Sequence, residues 1–107
     1  MKYGLKEDII HKLVEIFQKN SKIKDVILFG SRAKGNYRNG SDIDLAIKGK
    51  NLKLVDLNEL LIKIDGLYLP YEIDIVIYSK IKNKDLIEHI DRIGIVLYKE
   101  QGRGNRE

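Results

Sequence analysis

Gly40-Ser41-Asp42-Ile43-Asp44-Leu45-Ala46-Ile47-Lys48 is the stretch on which the reading of this chain turns. From Asp42 to Lys48 the residues alternate. Ile43, Leu45 and Ile47 fall on one face, and Asp42, Asp44 and Ala46 on the other, which is the period of a half-buried strand. Asn39-Gly40 supplies a turn before it and Gly49-Lys50-Asn51 a turn after it. Aspartate is depleted in strands, so two of them on one face call for a reason. Like charges a few ångströms apart repel. A solvated polar face would tolerate the pair without help. The competing reading is a cation held between them, and carboxylates with no neighbouring His or Cys suit a hard ion such as Mg2+ or Mn2+.

Upstream, Asp25-Val26-Ile27-Leu28-Phe29 reads as a short buried strand stopped by Gly30. Gly30-Ser31-Arg32-Ala33-Lys34-Gly35 follows, a polar loop with a single helical turn predicted over Ser31 to Lys34. Glycine at its head lets the backbone turn sharply and approach a ligand. A hydroxyl and free N–H groups at such a turn can hold a phosphate, and Arg32 and Lys34 add positive charge. There is no Gly-Lys-Ser/Thr, so it is not a Walker loop. Leu5, Ile9, Leu13, Ile16 and Phe17 recur at helical spacing and predict a helix over 5–20.

Downstream, Leu54, Leu57, Leu61 and Ile64 place a second amphipathic helix over 52–64. The only proline, Pro70, precedes a strand over 72–78 with Ile73, Ile75 and Ile77 on its core face. Asp74 sits within that apolar run, where an unpaired carboxylate is costly if buried. Pairing with the Asp42 and Asp44 site would remove the cost. Glu72 shares its face but lies nearer the strand end and is assigned to solvent. A last helix is predicted over 83–92 and a short final strand or extended segment over 94–98.

The order is α-β-(short α)-β-α-β-α, an α/β (α+β) chain with a small mixed sheet flanked by helices. A helix joins the second and third strands, so they are predicted parallel, with a right-handed crossover. A short loop joins the first and second, which are predicted antiparallel. The end of the first strand and the starts of the other two then share one sheet edge, where the Gly30 loop, Asp42, Asp44 and Asp74 converge. A single domain over 5–98 is expected, with a flexible tail over 99–107.

With 107 residues, 43% of them apolar, the chain is long enough for one core. No cysteine is present, which excludes disulfides, thiolate zinc sites and a Cys nucleophile. With no Trp and two Phe, stacking platforms for single-stranded nucleic acid are scarce, so direct nucleic-acid binding is not expected. The net charge of +4 is compatible with a nucleotide ligand. Residues 1–8 carry no signal-peptide core and no apolar run approaches membrane-spanning length. A cytoplasmic location is expected.

A phosphate loop one short turn ahead of paired carboxylates is the arrangement of phosphoryl and nucleotidyl transfer, in which two metal ions flank an in-line displacement. Gly30-Ser31, then Asp42-Ile43-Asp44, then Asp74 on a later strand resembles the signature of the DNA polymerase β-like nucleotidyltransferases. The form Gly-Ser-Arg-Ala-Lys-Gly…Gly-Ser-Asp-Ile-Asp-Leu is similar to that of the minimal nucleotidyltransferases, the MNT or MntA-type antitoxins. The resemblance implies the nucleotidyltransferase fold. It implies Asp42, Asp44 and Asp74 as catalytic residues and metal ligands for Mg2+, two ions, with Mn2+ an alternative. Gly30, Ser31, Arg32 and Ser41 become the ATP-binding positions. Lys34 stands where members often have Arg. The resemblance further implies a HEPN-type toxin partner, encoded alongside, that receives AMP on a tyrosine. Two other readings stay open: a non-catalytic antitoxin that masks its partner, and the catalytic subunit of a small-molecule nucleotidyltransferase.

Overall fold

The computed structural model describes residues 1–100. Helix α1 (Glu7–Gln18) leads into β1 (Ile23–Phe29), the single turn α2 (Gly30–Lys34) and β2 (Ile43–Gly49). Then follow α3 (Leu54–Asp65), β3 (Ile73–Ile77), a 3-10 turn at Tyr78–Lys80, α4 (Lys84–Ile93) and β4 (Ile95–Lys99). The four strands form one sheet in the order β3-β2-β1-β4. β1 pairs antiparallel with both β2 and β4, and β2 pairs parallel with β3. The directions predicted for the first three strands hold.

The two faces of the sheet are covered differently. Val26, Leu28, Ile43, Leu45, Ile47, Ile75 and Ile77 pack against Leu5, Leu13 and Phe17 from the α1 side and Leu60 and Ile64 of α3. Strand alternation sends Ile27, Phe29 and Ala46 to the opposite face, where Ile90 of α4 covers them. The α1/α3 face therefore carries the larger core. The second face is covered only in part, and Asp44 and Asp74 lie on it, two residues before Ala46 and Val76.

Local chemistry sets the element ends. Asn83 caps α4, its side-chain oxygen accepting from the N–H groups of Asp85 (2.9 Å) and Leu86 (3.2 Å). At the start of α3 the Asp56 carboxylate accepts the Lys53 N–H at 2.8 Å. It also takes the Lys22 ammonium at 3.0 Å, tying the helix to the entrance of β1. These bonds hold the Asp56 carboxyl below its ordinary range, the Lys53 amide contributing most.

The predicted tail begins too early. Lys99 belongs to β4, paired with Asp25. Glu100 donates its N–H to the Lys24 carbonyl at 2.7 Å, and its carboxylate meets the Lys24 ammonium at 3.0 Å. Antiparallel pairing with β1 thus includes Lys99; residues 101–107, the rest of the expected tail, lie outside the described residues. Among the described residues no helix is long and apolar enough to cross a membrane.

Candidate active site

The register brings the site together. Asp44 is the direct partner of Asp74 across the parallel β2/β3 pair and of Phe29 across the antiparallel β1/β2 pair. Gly30 follows Phe29, so the turn into α2 stands beside Asp44 by construction. Asp42, two residues earlier and outside the strand proper, is exposed at the rim with Asp74, while Asp44 is half-buried. Glu72 is exposed and one step beyond β3, as expected of a solvated end residue.

Electrostatics matches this crowding. The Asp44 carboxyl is pushed above the ordinary value of 3.8, first by burial, then by the charges of Asp74 and Asp42, with His89 opposing them. A carboxylate that resists ionisation because of its neighbours is a carboxylate that gains by binding a cation. The three side chains do not close a cage: among the described residues no group of three or more His, Cys, Asp or Glu could hold a metal by itself. That suits Mg2+, which is commonly bound through one or two carboxylates and completed by substrate phosphates. The donor set is oxygen only, open to solvent and short of ligands, so it fits an ion that arrives with a nucleotide.

Gly30 has φ +75°, a conformation that favours glycine, and a Cβ added there would run into the Asp44 carboxylate. Its N–H donates to Nε2 of His89 at 3.0 Å. The ring of His89 also meets Phe29 edge-on, centroids 6.1 Å apart. His89 thus holds the Gly30 turn from α4. Sequence reading missed it because the contact spans 59 residues; the only cue was its place beside Ile90 on the inner face of α4.

Ser31 is half-buried in the first turn of α2, and its hydroxyl has no protein partner among the described residues. The Ser41 hydroxyl oxygen accepts the Arg38 N–H at 2.8 Å and so closes the turn ahead of Asp42. Its proton is left to donate outward.

Arg32, expected at the triphosphate, is 2% exposed. Its Nε and one terminal nitrogen donate to the Ser41 carbonyl at 3.2 and 2.8 Å, and the other terminal nitrogen donates to the Tyr3 carbonyl at 2.9 Å. The guanidinium also lies over the rings of Tyr37 and Tyr71, 5.4 and 4.9 Å from their centroids. A planar fork with these carbonyls in its grip ties the chain start and the Asp42 turn to α2. Its work is to hold the loop. Replacing Arg32 by Ala should therefore act on stability. Charged hydrogen bonds are worth about 1.5–3 kcal/mol each, and the side chain makes three, so a drop in melting temperature of about 20 °C or more is expected. Lysine, which lacks the fork, should rescue little of it. An Arg32→Ala protein that melts like wild type but binds ATP weakly would restore the phosphate role.

The polymerase β nucleotidyltransferase family model matches residues 11–103. A protein of Methanocaldococcus jannaschii named as a candidate protein adenylyltransferase is 36% identical over 77 residues, 69% of this chain and 78% of that protein. A chain from a crystal structure of a toxin–antitoxin pair with AMP-PNP superposes with a TM-score of 0.68 at 26% identity, over 91% of this chain and 76% of that one. A chain from the complex of a tri-AMPylated Shewanella oneidensis HEPN toxin with its MNT antitoxin gives 0.68 at 20% identity, over 91% and 75%, a likeness of fold alone. The paired aspartates, their partner on β3 and the glycine turn pressed against them are thus set in a matching sequence and a matching fold, and the chain belongs to the polymerase β-type nucleotidyltransferases.

Proposed function

We propose that this nucleotidyltransferase moves AMP from ATP to a tyrosine hydroxyl of a HEPN-type toxin, and thereby serves as the antitoxin of a cytoplasmic toxin–antitoxin pair. The observation that carries the reading is the alignment of Asp44 on Asp74 with the Gly30 turn against Asp44, at an open sheet edge. A relative named for protein adenylylation and a fold neighbour seen with AMP-PNP and a toxin support the choice of donor and partner.

In this reading Asp42 and Asp44 hold the cation or cations that come with ATP, with Asp74 on the acceptor side. A divalent ion bound there neutralises charge on the triphosphate and makes the acceptor hydroxyl easier to ionise. The Ser31 hydroxyl and N–H receive the phosphates, while the Gly30 N–H stays with His89. The acceptor oxygen attacks the α-phosphorus, the bond to the β-phosphate oxygen breaks and pyrophosphate leaves. Asp74 takes the hydroxyl proton. Asp42, Asp44 and Asp74 argue against a pure masking module, which has no need to hold three repelling carboxylates.

Two measurements test this. Mg2+ with ATP together should raise the melting temperature, and either alone should do little. Co-expression with the product of the neighbouring gene should then yield a partner carrying whole AMP masses on tyrosine. An unmodified partner, with rapid transfer to a small hydroxyl compound by this chain alone, would move the assignment to the small-molecule enzymes.

A further inference from the structure

The sheet ends at β3 on one side and at β4 on the other, and the β3 edge is the one that carries Asp74. The Ile43 N–H donates to the Glu72 carbonyl at 2.9 Å. In a parallel ladder this sets the alternation: the peptide groups of Asp74 and Val76 face β2, and those of Ile73, Ile75 and Ile77 point out of the sheet. Among the described residues no strand covers them. An open edge of this kind is a template for pairing with another chain.

A groove of 380 Å³ runs along the second half of this edge. Leu54 and Leu57 of α3 wall it on one side of the sheet, and Ile81 and Leu86 wall it on the other. A separate hollow of 660 Å³ lies at the start of β3, lined by Ile73, Ile62 and Tyr68. These flanks are apolar and uncovered: Leu54 is 67%, Ile62 72% and Tyr68 91% exposed. The two ends differ in charge. Lys80 and Lys82 stand at the C-terminal end, whereas Asp65, Glu72 and Asp74 stand at the N-terminal end, where the active site lies.

We propose that the acceptor segment of the partner protein docks here as a fifth strand on the edge of β3. The inference rests on the reading of this chain as a protein adenylyltransferase and adds how its substrate is held. An extended segment satisfies the outward N–H and C=O groups, which a docked helix could not. Its side chains alternate between the Leu54–Leu57 wall and the Ile81–Leu86 wall. Acidic residues fit beside Lys80 and Lys82. Adjacent strands lie about 4.8 Å apart, so a residue at the other end, on the Asp74 face, brings its hydroxyl to Asp74 without any further domain. The specificity rule is therefore an extended segment, apolar at alternate positions, acidic at one end and hydroxyl-bearing at the other.

The test uses the whole chain and a short synthetic peptide of alternating valine and threonine, with glutamates at one terminus and a tyrosine at the other, made in both polarities. Binding is measured by calorimetry without nucleotide, and amide exchange is followed with and without peptide. One polarity should bind and slow exchange at the Ile75 and Ile77 amides. Lys80→Glu with Lys82→Glu, both exposed side chains, should lower peptide affinity about tenfold or more and leave Mg2+–ATP binding unchanged. Peptide that fails to bind, or that protects other amides, overturns the proposal. So does edge protection that depends on the chain's own concentration, which would make the occupant a second copy. With Mg2+ and ATP added, a bound peptide whose tyrosine stays unmodified counts against the adenylyltransferase reading while the docking stands.

Discussion

Asp44→Asn should reduce AMP transfer by about a thousandfold while the metal-free protein becomes more stable at neutral pH. The two effects have one origin. Asp44 is half-buried and faces Asp74 directly across the ladder. Burial, Asp74 and Asp42 all oppose its ionisation. Because its folded-state pKa is raised, the charged form costs stability wherever pH exceeds that pKa. The cost is relieved as pH falls through it and is gone below the ordinary value of 3.8. Asparagine keeps the shape and removes the charge. The variant should melt higher than wild type at neutral pH without metal, and the two should converge in acid. Cation ligation is worth several kcal/mol of transition-state stabilisation, and each 1.36 kcal/mol is a factor of about ten in rate, which gives the loss of transfer. Mg2+ with ATP should raise the wild-type melting temperature and barely move that of the variant. Paired melts across pH, with and without Mg2+–ATP, check all of this. Wild-type turnover in Asp44→Asn would remove the metal assignment, and a lower metal-free melting temperature would remove the repulsion argument.

Legibility in the sequence followed how local each contact is. The Asp42-Ile43-Asp44 alternation carries its own register: once Ile43, Leu45 and Ile47 must face the core, Asp44 has no choice of face. The crossover helix dictated the parallel pair, and through it the meeting of Asp44 with Asp74. Arg32 shows the limit. A basic residue after Gly-Ser reads as a phosphate ligand because its charge is visible in sequence and its burial is not. What captures it is the Tyr3 carbonyl, 29 residues away. His89 was hidden for the same reason, since its helix looks like any amphipathic helix until it packs on Phe29. The last strand was legible as a short strand or extended segment, but its partner was not, because the pairing with β1 returns across the whole chain. The uncovered edge of β3 could not be read at all: strand order, unlike strand existence, depends on which neighbours are missing.

Gly30→Ala should be the change outside the three aspartates that most damages transfer, for two separable reasons. At φ +75° a residue with a Cβ costs roughly 1–2 kcal/mol, or about 5–15 °C in melting temperature for a domain of this size. Gly35 and Gly40 share that geometry, with φ +93° and +83°, and a Cβ on either meets nothing within 4 Å. Gly35→Ala should therefore lose stability by the backbone amount only and keep transfer. At Gly30 the added carbon also enters the space of the Asp44 carboxylate, which must rotate away. A ligand displaced by about 1 Å can cost a hundredfold in rate, and transfer by Gly30→Ala should fall by about that factor. A double-mutant cycle isolates the contact. In an Asp44→Ala background the carboxylate is gone, so Gly30→Ala should cost only what Gly35→Ala costs. If the two substitutions instead add without coupling, the turn and the carboxylate are independent, and the close fit between Gly30 and Asp44 is not what orients the site.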